Sequence, residues 1–416
     1  MADFSYKGVR DFYPEDERIQ RHLFRVMQET VESFGYEPYH ASVLEPTELY
    51  TAKTSAEIIK EQTYTFTDRG GRAVTLRPEM TPTVARMVAA RRRELGFPLR
   101  WYSIPNLFRY ENPQRGRLRE HWQLNVDLFG AEDRAGDAEI IEIAYRLLRA
   151  YGATEEMFTI RVADRALLET AFDACGLSQE QKQLYRSLLD RKAKMDAQAF
   201  AQEARAITER DPLALIESRD PSIAQALCHI EDTIHLLRER GLGNVVFDPG
   251  IVRGFDYYTG FVFEVFDTSG KNTRSLFGGG RYDYLVEEYG GEHVPAAGFG
   301  MGDVTARDFL ETHHLLPAPR ATCDVYLAPV EDESREQASG AASFLRTKGL
   351  NVAFGLKHEK LSDHLRAAEK LAIPFFIAYG SNEASRGMVT VRHLETKKER
   401  QVPLNDVPRT IQEMLQ

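Results

Sequence analysis

Apolar residues recur at helical spacing near the start of the chain: Ile19, Leu23, Met27, Val31 and Phe34, with Val26 beside the stripe. This period predicts an amphipathic helix with Asp16 as its N-cap and Gly35 as its stop. Strand-like runs at 63–66 and 73–76 flank Asp68-Arg-Gly-Gly and predict a β-hairpin, and 82–94 predicts a helix. Residues 101–110 predict a strand, and the polar segment 111–117, which holds Pro113 and Gly116, predicts a long mobile loop.

The run after that loop alternates. Trp122, Leu124, Val126 and Leu128 point one way, and Gln123, Asn125 and Asp127 the other. A solvated outer face is one account of the polar set. The opposite face is wholly apolar, however, and the adjoining loop holds Arg115, Arg117 and Arg119. A polar inner face serving a ligand is therefore the better account.

Residues 138–152 form a second amphipathic pattern. From about 168 to 240 the chain is rich in Ala, Gln, Glu, Arg and Leu at helical period. This reads either as a helical subdomain inserted between two parts of a sheet domain or as a bundle with structural roles only. Strands are expected at 244–247 and 261–266, with a glycine-rich turn at 278–280. Pro317-Ala-Pro319 is the best linker. After it, strands at 323–329, 351–354, 374–379 and 388–393 alternate with helices at 331–349 and 359–372, the pattern of an α/β layer domain.

At 416 residues the chain is too long for one ordinary core and suggests two to four domains. With 43% hydrophobic and 28% charged residues it is a folded-protein composition, and a net charge of -10 excludes coating of nucleic acid by bulk charge, though not a local basic groove. No apolar run reaches the roughly 18–20 residues of a membrane helix, and the first residues carry no apolar signal core. Cys175, Cys228 and Cys323 are widely spaced, so neither a disulfide framework nor a zinc site is expected, and no metal-ligating set is assigned. A reducing, cytoplasmic setting follows.

Four separated segments combine arginine, acid, glycine and tyrosine: Leu76-Arg-Pro-Glu79-Met-Thr81; Phe108-Arg109-Tyr-Glu111 with Gln123; Arg253-Gly-Phe-Asp-Tyr257-Tyr258-Thr-Gly260; and Phe277-Gly-Gly-Gly280-Arg-Tyr282-Asp283. On an extended chain Glu79 and Thr81 share a face and suit an ammonium group. Arg109 offers a fork for a phosphate oxygen. Each segment alone is weak evidence, and the four in this order are not.

With these segments the chain resembles the class II aminoacyl-tRNA synthetases, and among them the histidyl-tRNA synthetases, over nearly its whole length. Lys7-Gly-Val-Arg-Asp11, the helix at 17–34 and Leu44-Glu-Pro46 resemble the family's first motif, which builds the dimer interface; 102–130 resembles the second. Arg253–Gly260 and Gly278–Asp283 resemble two histidine-specific segments, and Ala297-Gly-Phe-Gly-Met-Gly302 opens the third motif. Lys360-Leu-Ser-Asp-His-Leu-Arg-Ala-Ala resembles part of the anticodon-binding domain.

The resemblance implies an α+β core, an antiparallel sheet with flanking helices, over 1–320, containing the helical insertion at about 168–240. It implies an α/β anticodon-binding domain over 321–416. It implies a homodimer that joins histidine to ATP, releases pyrophosphate, and passes the histidyl group to the 3′-terminal adenosine of the histidine tRNA. Arg109 and Arg253 are the implied catalytic residues. Glu79, Thr81 and Gln123 would hold the α-amino group, and Asp127, Tyr257 and Tyr258 would complete the histidine pocket. Arg109, Glu111, Arg117 and Tyr282 would meet ATP, with Mg²⁺ carried on its phosphates. Gln114, Arg115, Lys360 and Arg366 would meet tRNA. Lys360 and Arg366 belong to a basic cluster with Lys357, His358, His364 and Lys370.

Several positions depart from the family pattern. Asp127 stands where glutamate is expected, Asn125 for a glycine, Leu118 for a tyrosine and Asn112 for an arginine. In the third motif Thr305 occupies the slot of an arginine that clamps ATP, and Arg307, two residues on, lies about 200° round a helix. The departure points toward a second reading, the non-catalytic paralogue that regulates ATP phosphoribosyltransferase. The C-terminal domain and the retained Arg109 and Arg253 point to the ligase.

Overall fold

Glu120–Phe129 forms a ten-residue strand around which the larger part of the chain is arranged. Its alternation sorts as the sequence indicates. Leu124, Val126 and Leu128 are buried in the main core, where the amphipathic helices Pro14–Glu32 and Arg134–Ala150 place Leu23, Met27, Ile140 and Leu147. In this computed structural model residues 5–51, 62–192, 195–251, 257–272, 274–317 and 321–415 are described. The chain divides into two compact units, Met1–Pro317 and Ala318–Gln416.

The sheet of the larger unit runs Glu37–Pro38, Leu99–Ser103, Glu120–Phe129, Ala296–Gly302, Ser275–Arg281, Phe261–Asp267, Phe158–Asp164, Val245–Phe247, with Asn106–Phe108 paired beside Glu120–Phe129. Neighbours are antiparallel through the middle, and only the two outer pairings are parallel. Between Phe158–Asp164 and Phe261–Asp267 the chain makes the helices Arg165–Ala174, Gln179–Lys192, Ala197–Ile207, Pro212–Glu217 and Ala224–Glu239. Three of them carry aspartate N-caps: Asp164, Asp196 and Asp211 accept from amides of the first turn. The hairpin Tyr64–Thr67/Ala73–Leu76 forms with Leu44–Pro46 a separate three-stranded sheet.

Local expectations fail at three places for identifiable reasons. The first helix starts at Pro14, whose missing N–H costs nothing in a first turn, so Asp16 is inside the helix and pairs with Arg307 at 2.9 Å. The strand expected over 101–110 is split into Leu99–Ser103 and Asn106–Phe108, because Pro105 cannot donate to the ladder. Gly278–Gly280 is not a turn but the interior of Ser275–Arg281. A Cβ on Gly279 would lie 2.0 Å from the Gly298 carbonyl oxygen, and one on Gly280 2.6 Å from that of Phe261. The glycines are there for close strand approach rather than reversal.

In the smaller unit the order is Val352–Phe354, Val325–Pro329, Phe375–Tyr379, Met388–His393, Glu399–Pro403. The first three strands are parallel and the last two pairings antiparallel. Helices Arg335–Thr347 and Val407–Leu415 bury Leu345, Val407 and Ile411 against the sheet. The Glu399–Pro403 strand and the last helix are additional to the sequence reading; the strand is a largely polar edge with no apolar period. Among the described residues no helix is long and apolar enough to cross a membrane.

Candidate functional site

Across the central ladder the polar stripe of Glu120–Phe129 faces a stripe of glycines. Gly298 pairs with Asp127, Gly300 with Asn125 and Gly302 with Gln123. A Cβ on Gly300 would sit 1.9 Å from the Gln123 amide nitrogen, and one on Gly298 2.7 Å from the Tyr282 hydroxyl. Ala297, Phe299 and Met301 of the same strand point into the core. The period-two glycines of Ala297-Gly-Phe-Gly-Met-Gly302 thus clear a floor on one face while their neighbours pack the other.

Over that floor lies a cavity of about 1060 Å³. Glu79, Thr81, Arg109, Glu111, Gln114, Arg115, Arg117, Gln123, Asp127, Tyr257, Tyr258 and Tyr282 all line it. The cavity therefore gathers every sequence-assigned residue of the larger unit except Arg253, which lies outside the described residues. Lys360 and Arg366 belong to the smaller unit, at the start and middle of Leu361–Lys370. His364 leaves the basic cluster proposed there: it is buried, with Nδ1 3.1 Å from the Tyr326 hydroxyl.

At the apolar end Asp127 is 3% exposed. The Tyr282 hydroxyl donates to one of its oxygens at 2.5 Å and Tyr39 approaches the other at 3.5 Å. Burial pushes the Asp127 carboxyl up to about 7, against the opposing pull of those two hydroxyls. Nearby, the Tyr257 hydroxyl donates to Glu79 at 3.3 Å, and the Tyr257 and Tyr258 rings stand 4.8 Å apart. This end can accept hydrogen bonds from a polar ring and an ammonium group inside an aromatic wall.

The other end is cationic. Arg109 is aimed by its Nε, which donates to the Pro78 carbonyl at 2.9 Å. Arg117 pairs with Glu111 at 2.7 Å and Arg115 with Asp308 at 2.8 Å. His121 is held neutral: burial and then the Arg109 charge press its imidazole down to about 3. It is not a base poised for neutral pH. Stabilisation of negative charge, rather than proton transfer, is what this end can supply.

Thr305 lines the cavity, its hydroxyl donating to the Gly302 carbonyl at 3.1 Å. Arg307 does not replace the expected arginine: it points to Asp16 and Glu311. Sequence reasoning passed over Glu264, Lys271 and Arg274, which also line the cavity. Glu264 had a readable signal, a lone carboxylate in Phe261-Val-Phe-Glu-Val-Phe, and Lys271 and Arg274 are a basic pair between two strands.

The profile of the histidyl-tRNA synthetase family matches residues 8–303, and that of the anticodon binding domain matches 324–414. The chain is 40% identical over 426 residues to a histidine–tRNA ligase of Leptospira biflexa, covering 99% of this chain and 98% of the relative. It is 37% identical to a histidine–tRNA ligase of Opitutus terrae, covering 98% of each. The crystal structure of histidyl-tRNA synthetase from Nostoc sp. PCC 7120 shares the fold, with a TM-score of 0.83 at 23% identity over 100% of both chains.

Proposed function

This chain belongs to the histidyl-tRNA synthetase family, and from that premise we propose that the cavity of its larger unit is where histidine and ATP react. The reaction of the family is ATP-dependent ligation of histidine to tRNA. A histidine carboxylate oxygen attacks the α-phosphorus and pyrophosphate leaves; a ribose hydroxyl of the tRNA's terminal adenosine then attacks the histidyl carbonyl of the adenylate, and AMP leaves. The nucleophile of the first step is already ionised, so the protein's task is alignment and charge stabilisation.

The observation that carries this reading is one cavity with a buried carboxylate at one end and arginines at the other. Asp127 and Tyr258 read the imidazole, with Tyr257 beside them. Glu79, Thr81 and Gln123 hold the α-amino group. Tyr282 has its hydroxyl committed to Asp127, so it acts at the imidazole end rather than on ATP. Arg109 and Arg253 take the role of stabilising charge at the α-phosphate, and Glu111 and Arg117 complete the nucleotide side. Mg²⁺ enters as part of the ATP substrate. A ligand lacking the imidazole forfeits a hydrogen bond to this buried carboxyl, which supports discrimination in favour of histidine.

Residues 1–320 are the catalytic core, with the helices between about 168 and 240 as an insertion, and 321–416 the anticodon-binding domain. Gln114 and Arg115 face the acceptor end of the tRNA, and Lys360 and Arg366 its anticodon arm. A homodimer is supported by the three-stranded sheet, which leaves Leu44 and Phe66 exposed in one copy. The protein works in the cytoplasm. Transfer of labelled histidine to histidine tRNA, dependent on ATP, tests the proposal; a regulatory paralogue would bind histidine and charge nothing.

A further inference from the structure

If the cavity holds ATP, something must answer the charge of its outer phosphates where Thr305 offers none. Among the described lining residues, five are Lys or Arg: Arg109, Arg115, Arg117, Lys271 and Arg274. Arg115 and Arg117 are neutralised by Asp308 and Glu111. Arg109 is fixed by the Pro78 carbonyl at the floor. Among the described residues, Arg274 meets only a neutral partner, the Gln114 side-chain oxygen at 3.4 Å, and Lys271, which also lines the cavity, is not seen in an ion pair.

The position of Arg274 is as informative as its charge. Gln114 and Arg117 bridge to each other across a tight turn. A Cβ built on Gly116, inside that turn, would lie 3.6 Å from the Thr305 methyl. One turn therefore lies close to Thr305 at Gly116 and meets Arg274 through Gln114. Arg274 and Thr305 both line the cavity, and this turn lies next to each of them. An arginine fork with no carboxylate of its own suits phosphate oxygens, and exposure before ligand binding keeps its desolvation cost low.

We propose that Arg274, assisted by Lys271, binds the β- and γ-phosphates of ATP and takes over the charge that position 305 lacks. The inference rests on the reading of the cavity as the histidine and ATP site. It makes Arg274 a binding residue for the leaving pyrophosphate, reached from the segment between Phe261–Asp267 and Ser275–Arg281 instead of from the Asp303–Thr312 helix.

Histidine-dependent exchange of labelled pyrophosphate into ATP, without tRNA, tests it on the full-length protein. Arg274→Ala should raise KM for ATP and for pyrophosphate by about 10–100-fold, the scale of a lost charge-assisted contact. KM for histidine should stay within about twofold, and Arg274→Lys should recover most of the loss. Lys271→Ala should add a smaller increase. Exchange by the unaltered protein together with an unchanged KM for ATP in Arg274→Ala overturns this inference and leaves the histidine site standing. An effect confined to KM for tRNA in the charging assay also overturns it, by assigning Arg274 to the acceptor end. No exchange by the unaltered protein overturns both readings together.

Discussion

The Tyr282 hydroxyl donates to the Asp127 carboxylate at 2.5 Å, and both side chains are buried. The bond joins two segments far apart in sequence, one on each side of the strand Ala296–Gly302. It fixes this aspartate at the floor of the cavity, where the proposed function has it meet a ring N–H.

Because burial holds the Asp127 carboxyl at about 7, the native protein keeps a proton there that the unfolded chain has lost above about 4. Native stability should therefore fall as pH rises from about 4 to 7 and level off beyond, with a slope of at most about 1.4 kcal/mol per unit from this group. Asp127→Asn should remove that slope. Denaturant unfolding of both proteins across the pH range measures the difference.

The same titration should govern ligand affinity in the opposite sense. Histidine binding should weaken as pH drops below about 7, where Asp127 takes up its proton and becomes a weaker, uncharged acceptor for the ring N–H. The imidazole of free histidine titrates nearby and contributes in either protein. Asp127→Asn should bind histidine about 10–100-fold more weakly at pH 8 and show a shallower acid limb. Calorimetric titration at several pH values separates the two contributions.

Two glycine-to-alanine changes should fail differently. At Gly300 the added methyl meets the end of the Gln123 side chain, which can swing aside. Gly300→Ala should fold with a stability loss of about 1 kcal/mol and raise KM for histidine, because Gln123 is displaced from the cavity. At Gly279 the methyl meets the Gly298 carbonyl oxygen and the Phe299 backbone. Gly279→Ala should cost about 3 kcal/mol or more, or yield no folded protein. Thermal unfolding with steady-state kinetics distinguishes the cases.

Arg281 sits in the same segment as Tyr282 but turns away to a buried ion pair with Asp137, helped by Asp283 at 3.1 Å. Arg281→Ala leaves Asp137 buried without its partner and should destabilise the fold by about 3–5 kcal/mol. Equilibrium unfolding in urea reads this loss.

On the smaller unit, Lys360 and Arg366 are exposed, and Arg366 pairs weakly with Asp363 at 3.4 Å. Lys360→Glu with Arg366→Glu should lower tRNA affinity and flatten its salt dependence by about one to two units of slope. Adenylate formation should be unaltered. An unchanged slope moves the tRNA surface to the neighbourhood of Lys397 and Lys398.

Much of this was legible because period two carries unambiguous information. The alternation over 122–128 sets Asp127 and Gln123 on one polar face, the face that lines the cavity, and the resemblance supplies their companions. The glycines at 278–280 misled because glycine has two uses, reversal and close approach, and only the neighbouring strand decides between them. Asp16 misled because Pro14 starts a helix as readily as aspartate caps one. Arg274 was hidden for another reason: a lone exposed arginine acquires meaning only from Thr305 and Gln114, residues distant in sequence that the fold brings to the same end of the cavity. His364 reads as part of a basic helix face until the sheet beneath is seen to bury it.

In the proposed function this cavity activates histidine with ATP. The most direct measurement is exchange of labelled pyrophosphate into ATP by the purified full-length protein, with each amino acid supplied in turn and no tRNA present. Exchange is expected with histidine alone, lowered about 100-fold or more by Arg109→Ala and by Arg253→Ala while histidine binding changes far less. Histidine binding without any exchange would contradict it and identify a chain that senses histidine instead of activating it.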